Sequence, residues 1–82
     1  MNVTLPRKTP VDLYDATGIT VGTQLKVSVI GAGDVRLSDS EAGLTSDHIT
    51  MKTYECAMND AGDAGAWALS MSGSGVNVKE VV

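Results

Sequence analysis

The alternation of apolar and polar residues is clearest in two segments near the middle of the chain. Residues 25–30 and 35–38 each follow a period of two, which is the pattern of a half-buried β-strand. Between them, residues 31–34 contain two glycines, which adopt a positive φ without steric cost and allow the chain to reverse. We therefore predict an antiparallel hairpin across residues 25–38. Its inward face carries the apolar side chains of Leu25, Val27, Val29, Val35 and Leu37.

Shorter alternating segments lie on both sides of this hairpin. They comprise residues 11–14, 19–21, 49–51, 54–58, 67–71 and 76–79. A helix is arguable only for residues 47–58, where Thr50, Thr53 and Tyr54 favour strand. Residues 15–18 are typical of a turn, and residues 39–47 and 59–65 of polar surface loops. The chain is therefore predicted to be all-β, a small antiparallel β-sandwich or barrel of roughly six to seven short strands.

The first ten residues differ from the rest in carrying Pro6 and Pro10, which disfavour helix, and the adjacent basic pair Arg7 and Lys8. We predict an extended N-terminal arm over residues 1–10 and a single β domain over residues 11–82. The arm is either a solvated tail or a segment that reaches an acidic patch on a neighbouring subunit.

The length of 82 residues leaves a small interior. A chain of this size buries roughly 60–65% of the surface that its unfolded form exposes, so a disulfide, a metal or a partner subunit is a common reinforcement. Cys56 is the single cysteine and His48 the single histidine, which excludes an internal disulfide and leaves too few ligands for a Cys/His zinc site. We therefore expect stabilisation by oligomerisation or by docking on a larger body.

The net charge of −4 makes nucleic acid an unfavourable partner, because phosphate backbones repel an acidic chain. No apolar run approaches the roughly 20 residues that span a bilayer, and the N-terminus lacks the apolar core of a signal peptide. We expect neither nucleic acid nor a membrane as a partner. The unpaired cysteine agrees with synthesis in a reducing cytoplasm.

Residues 27–33 resemble a strand that leads into a dinucleotide-binding glycine loop. Arg36 stands where that loop needs its third glycine, and a strand pattern follows where the loop needs a helix. We therefore expect a turn here and no cofactor.

The two polar loops supply oxygen ligands of the kind that Ca²⁺ prefers. These ligands are Asp39, Glu41 and Asp47 in the first loop, and Asn59, Asp60 and Asp63 in the second. Neither loop follows the EF-hand order of ligands, so we interpret these side chains as solvated and expect no metal.

Nucleophilic catalysis needs a base beside the nucleophile, and His48 is the single candidate base. At a strand rise of about 3.3 Å per residue, Cys56 lies roughly 25 Å from it. We therefore expect Cys56 to be a small core residue, His48 to lie at a strand edge, and the protein not to be an enzyme. Trp67, the single tryptophan, is expected to fill the aliphatic core, with an interface position as the alternative.

Four segments together resemble the small all-β virion proteins of tailed bacteriophages. They are GTQLKV at 22–27, GDVRLSDS at 33–40, GAWALS at 65–70 and VNVKEV at 76–81. The resemblance implies a structural protein that clips onto the capsid surface or attaches to the tail or neck, with no catalytic residue. It also implies localisation in the virion after synthesis in the host cytoplasm. The implied partners are further copies of the chain, the major capsid protein or other virion subunits.

Two functions of different classes follow as hypotheses. The first is a capsid decoration or cement protein that binds the shell as an oligomer, with a component of the tail, neck or fibre as its alternative. The second is a ligand-recognition module that binds a sugar, a peptide or calcium through the acidic loops. The residues that we expect to make contacts are Arg7, Lys8, Asp39, Glu41, Asp47, Asp60, Asp63 and Trp67.

Overall fold

The computed structural model describes residues 1–81. The strands are β1 (Asn2–Leu5), β2 (Val11–Asp12), β3 (Leu25–Val29), β4 (Val35–Ser38), β5 (Ile49–Met51), β6 (Cys56–Met58), β7 (Trp67–Leu69) and β8 (Ser74–Glu80). The helices are α1 (Leu13–Thr17) and α2 (Gly43–Ser46). Within the described residues, no helix is long and apolar enough to cross a membrane.

The strands form two four-stranded antiparallel sheets. The first sheet has the order β1-β8-β3-β6 and the second the order β2-β7-β4-β5. Side chains from both sheets meet in one aliphatic core, where Leu25, Val35 and Val76 are fully buried. The prediction of a small antiparallel all-β fold is confirmed, with eight strands among the described residues in place of roughly six to seven.

The predicted hairpin over residues 25–38 is wrong in its pairing. β3 pairs with β8 and β6 in the first sheet, whereas β4 pairs with β7 and β5 in the second. The predicted inward face is confirmed, since all five of its apolar side chains are buried. Alternation shows which face of a strand is buried, but it does not show which strand lies alongside. Residues 30–34 therefore cross from one sheet to the other.

The N-terminal segment is part of the first sheet. β1 pairs with β8, with Val3 opposite Val76, and the side chains of Val3 and Leu5 are buried. Beyond β1, the N–H of Lys8 donates to the carbonyl of Ser70 at 2.9 Å. The segment predicted as an arm outside the β domain thus contributes to the core and forms one edge of the sheet.

Helix α1 occupies a segment predicted as strand and turn. The Oδ1 atom of Asp12 accepts hydrogen bonds from the N–H groups of Tyr14 at 3.0 Å and Asp15 at 3.3 Å, which caps the first turn. Gly18 ends the helix with a φ of 74°, a left-handed conformation that favours glycine. The strand predicted over residues 11–14 therefore ends at Asp12, because that side chain starts a helix.

Helix α2 lies within the loop predicted over residues 39–47 and contacts β4 and β7. Leu69 of β7 stands opposite Arg36 in the register, on the outward face of the second sheet. Leu69 and Leu44 of α2 are both buried, although neither belongs to the shared core. The helix therefore covers part of the outward face with a small second apolar layer.

Candidate functional site

Strand β6 forms an open edge of the first sheet, since β3 is its neighbour on one side and no described strand lies on the other. The N–H of Asn59 donates to the carbonyl of Leu25 on β3 at 3.3 Å. Bonded and non-bonded positions alternate along an antiparallel pair, so the backbone N–H and C=O groups of Cys56 and Met58 point to the open side. An edge of this kind is ready to pair with another strand.

Exposed apolar side chains surround this open edge. Tyr54 is 91% exposed, Met58 57% and Ile30 50%. The N–H of Tyr54 donates to the carbonyl of Val29, the residue before Ile30, at 3.2 Å, which places the two exposed side chains at the same end of the strand pair. We call Ile30, Tyr54, Cys56 and Met58 the β6-edge surface. Contiguous exposed apolar residues mark sites of protein–protein interaction.

The turn before β6 holds Tyr54 in place. The N–H of Lys52 donates to Oε1 of Glu55 at 2.7 Å, and the N–H of Glu55 donates to the carbonyl of Lys52 at 2.9 Å. Thr53 adds a hydrogen bond from Oγ1 to the carbonyl of Gly31 at 3.1 Å. Tyr54 has a φ of 70°, which is uncommon for a bulky residue, and such conformations concentrate at functional sites. The fold thus keeps a large aromatic side chain exposed at some conformational cost.

Two lysines border the β6-edge surface. Lys26 lies opposite Met58 on one side and opposite Lys79 on the other. All three side chains are exposed. Because the chain as a whole carries a net charge of −4, this is a local positive border on an acidic molecule. Glu55, between Tyr54 and Cys56, is exposed as well, so the surface presents charges of both signs beside its apolar side chains.

The acidic residues that we expected to make contacts belong to two loops of the chain. One group flanks α2 and consists of Asp39, Glu41 and Asp47. The other group consists of Asp60 and Asp63, in a turn where the N–H of Gly62 donates to the carbonyl of Gly22 at 2.8 Å. Among residues 1–81, no three His, Cys, Asp or Glu side chains gather as they would to hold a metal ion. The two loops nevertheless meet at one point, since a Cβ added at Gly65 would lie 2.6 Å from the carbonyl oxygen of Asp39.

The basic pair and the histidine lie apart from the β6-edge surface. Arg7 and Lys8 are exposed, and both lie beside Ser70 at the end of the second sheet. His48 is half-buried and immediately precedes β5, which is an edge strand. His48 thus lies one residue before an edge strand, outside the strand itself.

The expectation that Trp67 fills the core is wrong. Its neighbour Ala68 is fully buried in the shared core, so Trp67 lies on the opposite, outward face of β7. There it is half-buried, with its indole ring close to Gly65. Trp67 stays a candidate contact residue, but it is not part of the β6-edge surface.

The expectation that Cys56 is a core residue is also wrong, since it is exposed. In β6 the residue that packs against the core is Ala57, opposite Val27. Alternation separates two sets of residues but does not say which set faces inward, and the larger apolar set, with Tyr54 and Met58, turned out to face solvent. The β6-edge surface could not be predicted from the sequence for this reason. Ala57 faces inward because of how β6 packs beside β3, which the pattern of β6 alone does not show.

Comparison with known proteins identifies no relative of the chain. No protein-family model matches the chain, and no curated protein or solved structure matches it.

Proposed function

We propose that this chain is a structural virion protein of a tailed bacteriophage, a decoration protein that binds the capsid shell and stabilises it as an oligomer. The observation that carries the proposal is the β6-edge surface, where an open strand edge and exposed apolar side chains occur together. The resemblance to small all-β virion proteins supplies the context. The mechanism is adhesion.

Two interactions contribute to this adhesion. The outward backbone groups of Cys56 and Met58 hydrogen-bond a strand of the partner, which extends the first sheet across the contact. Burial of the side chains around them contributes roughly 25 cal/mol for each Å² of apolar surface removed from water. Tyr54 is the expected anchor, because tyrosine is enriched among the few residues that carry most of the binding energy of an interface.

The size of the molecule suits a contact made by one face. The chain exposes 4561 Å² in all, and a standard interface takes about 800 Å² from each partner. One face therefore suffices for the shell. Among residues 1–81 no strand pairs with the outer side of β1, on the far side of the first sheet, and this edge is available to a second subunit. Copies that bridge neighbouring shell subunits gain from multivalency, so that each single contact is weak while the array is stable.

The proposal is tested with particles of the phage that encodes the chain. Gel filtration coupled to light scattering gives the oligomeric state, and co-sedimentation is carried out with complete virions and with tailless heads. We expect an oligomer that sediments equally with both particles. Sedimentation with virions but not with heads would show that the protein binds the tail, neck or fibre and not the capsid. A stable monomer that binds neither particle would overturn the proposal.

A further inference from the structure

A pocket of about 430 Å³ opens on the outward face of the second sheet, beside α2 and away from the β6-edge surface. Its lining residues are Asp34, Arg36, His48, Thr50, Met71 and Ser72. Its volume lies within the range of small-molecule sites, roughly 300–1,000 Å³. Arg36 of β4 and Thr50 of β5 stand directly opposite each other in the register, so the floor of the pocket is part of the sheet.

Arg36 is held in this pocket from one side. It is half-buried, and its Nη1 atom donates to the carbonyl of Leu44 in α2 at 3.2 Å. A guanidinium carries five N–H donors in a planar fork, and this is the one hydrogen bond of the Arg36 side chain within residues 1–81. The remaining donors are available to a ligand. The fork matches the two oxygens of a carboxylate.

The other polar groups of the pocket complete a mixed set of donors and acceptors. The hydroxyls of Thr50 and Ser72 line it, and Oγ1 of Thr50 lies 3.5 Å from Nδ1 of His48. Asp34 adds an acceptor with a negative charge, and the exposed side chain of Met71 adds an apolar wall. A ligand that carries several carboxylates is repelled by Asp34, whereas a ligand with one carboxylate and several hydroxyls satisfies both charged residues.

We propose that this pocket binds a sugar acid, with the carboxylate on Arg36, a ring hydroxyl on Asp34 and the ring against Met71. The inference stands apart from the role in the virion, since it concerns another face of the molecule and needs no other subunit. A carboxylate could also come from an acidic protein segment. Both a sugar acid and an acidic protein segment would place a carboxylate on Arg36. The sugar acid presents a hydroxyl to Asp34, whereas the acidic segment presents further carboxylates.

The test is a titration of the ¹⁵N-labelled chain followed by NMR, with glucuronate, glucose and triglutamate as separate probes. We expect saturable shifts with glucuronate at the amides of the six lining residues, and binding at least tenfold weaker with glucose and with triglutamate. Absence of saturable shifts with glucuronate would overturn the proposal. Tighter binding of triglutamate than of glucuronate would overturn it in favour of a protein segment.

Four single variants make the test specific. Arg36→Gln and Arg36→Lys are expected to weaken glucuronate binding by about tenfold or more, because neither side chain offers the charged fork. Lys26→Gln removes one positive charge from β3 of the first sheet, outside the pocket, and is expected to leave the Kd within about twofold. Thr50→Val, at an exposed position, removes one hydroxyl without touching the bond between Arg36 and Leu44, and we expect a smaller loss. Equal affinity in the wild type and both Arg36 variants would contradict the proposed site.

Discussion

Lys26 and Lys79 lie directly opposite each other on the neighbouring strands β3 and β8, and both side chains are exposed on the outward face of the first sheet. Opposed positions in an antiparallel pair bring Cβ atoms to about 4.5–5.5 Å, and like charges at that distance destabilise the pair. The molecule therefore keeps an unfavourable pair of positive charges next to the exposed Met58.

The first prediction concerns this pair of lysines. Lys79→Glu replaces a repulsion by an attraction and is expected to raise the free energy of unfolding by about 0.2–1 kcal/mol, measured by urea denaturation at low salt. High salt is expected to reduce the gain, because it screens exposed charges. Lys79→Gln, which removes only the repulsion, is expected to give an intermediate value. A lower stability of Lys79→Glu at low salt would contradict the like-charge interpretation.

The second prediction concerns the hydroxyl of Tyr14. It donates to the carbonyl of Thr23 at 2.6 Å and accepts from Nδ2 of Asn59 at 2.9 Å, so it joins α1 to two loops. Tyr14→Phe leaves both partners without this contact and is expected to lower the free energy of unfolding by about 1–3 kcal/mol. Tyr54→Phe removes the same atom from a side chain that is 91% exposed and serves as the control. Equal stability of the two variants would refute the role of this hydroxyl.

The third prediction concerns the end of α1. At Gly18, with a φ of 74°, an added Cβ meets no atom within 4 Å, so a substitution there changes backbone conformation without a clash. Gly18→Ala is expected to cost about 1 kcal/mol of stability. Gly18→Asn is expected to cost less, since asparagine tolerates the left-handed region. Thermal unfolding of the two variants checks this order, and a more stable alanine variant would contradict the helix cap.

The fourth prediction concerns the shared core. Leu25 is 0% exposed, and Leu25→Ala is expected to destabilise the fold by about 2–5 kcal/mol through lost burial and a residual cavity. Val21→Ala, at a position that is 58% exposed, is expected to change the stability by less than about 0.5 kcal/mol. Urea denaturation of both variants measures the difference. Similar values would show that Leu25 does not lie in a packed core.

The sequence predicts the buried faces of β3 and β4 correctly but not the partners of these two strands. The alternation around Val27 and Val35 identifies the inward side of β3 and β4, because every second residue there is apolar and the residues between are polar. Their pairing depends on whether residues 30–34 close a hairpin or cross between sheets, and both paths use the same inward face. The end of β2 could not be predicted either. Asp12 caps helix α1, and the alternation over residues 11–14 gives no sign of that helix.

The candidate site was harder to predict than the fold. The polar loops suggested contacts at Asp39 and Asp60, but among the described residues no three His, Cys, Asp or Glu side chains gather as they would to hold a metal ion. Tyr54 and Met58 have the apolar character of core residues, and only the packing of Ala57 against β3 leaves them exposed. The pocket around Arg36 depends on α2, which covers the outward face of the second sheet and was predicted as loop.

The central claim is that the β6-edge surface binds the particle, and co-sedimentation of matched variants tests it most directly. The double variant Tyr54→Ser with Met58→Ser is compared with Val21→Ser, because Val21 is 58% exposed and Met58 is 57% exposed. Circular dichroism first confirms that both proteins are folded. We predict that Val21→Ser sediments with phage particles like the wild type and that the double variant stays in the supernatant. Undiminished sedimentation of the folded double variant would contradict the account.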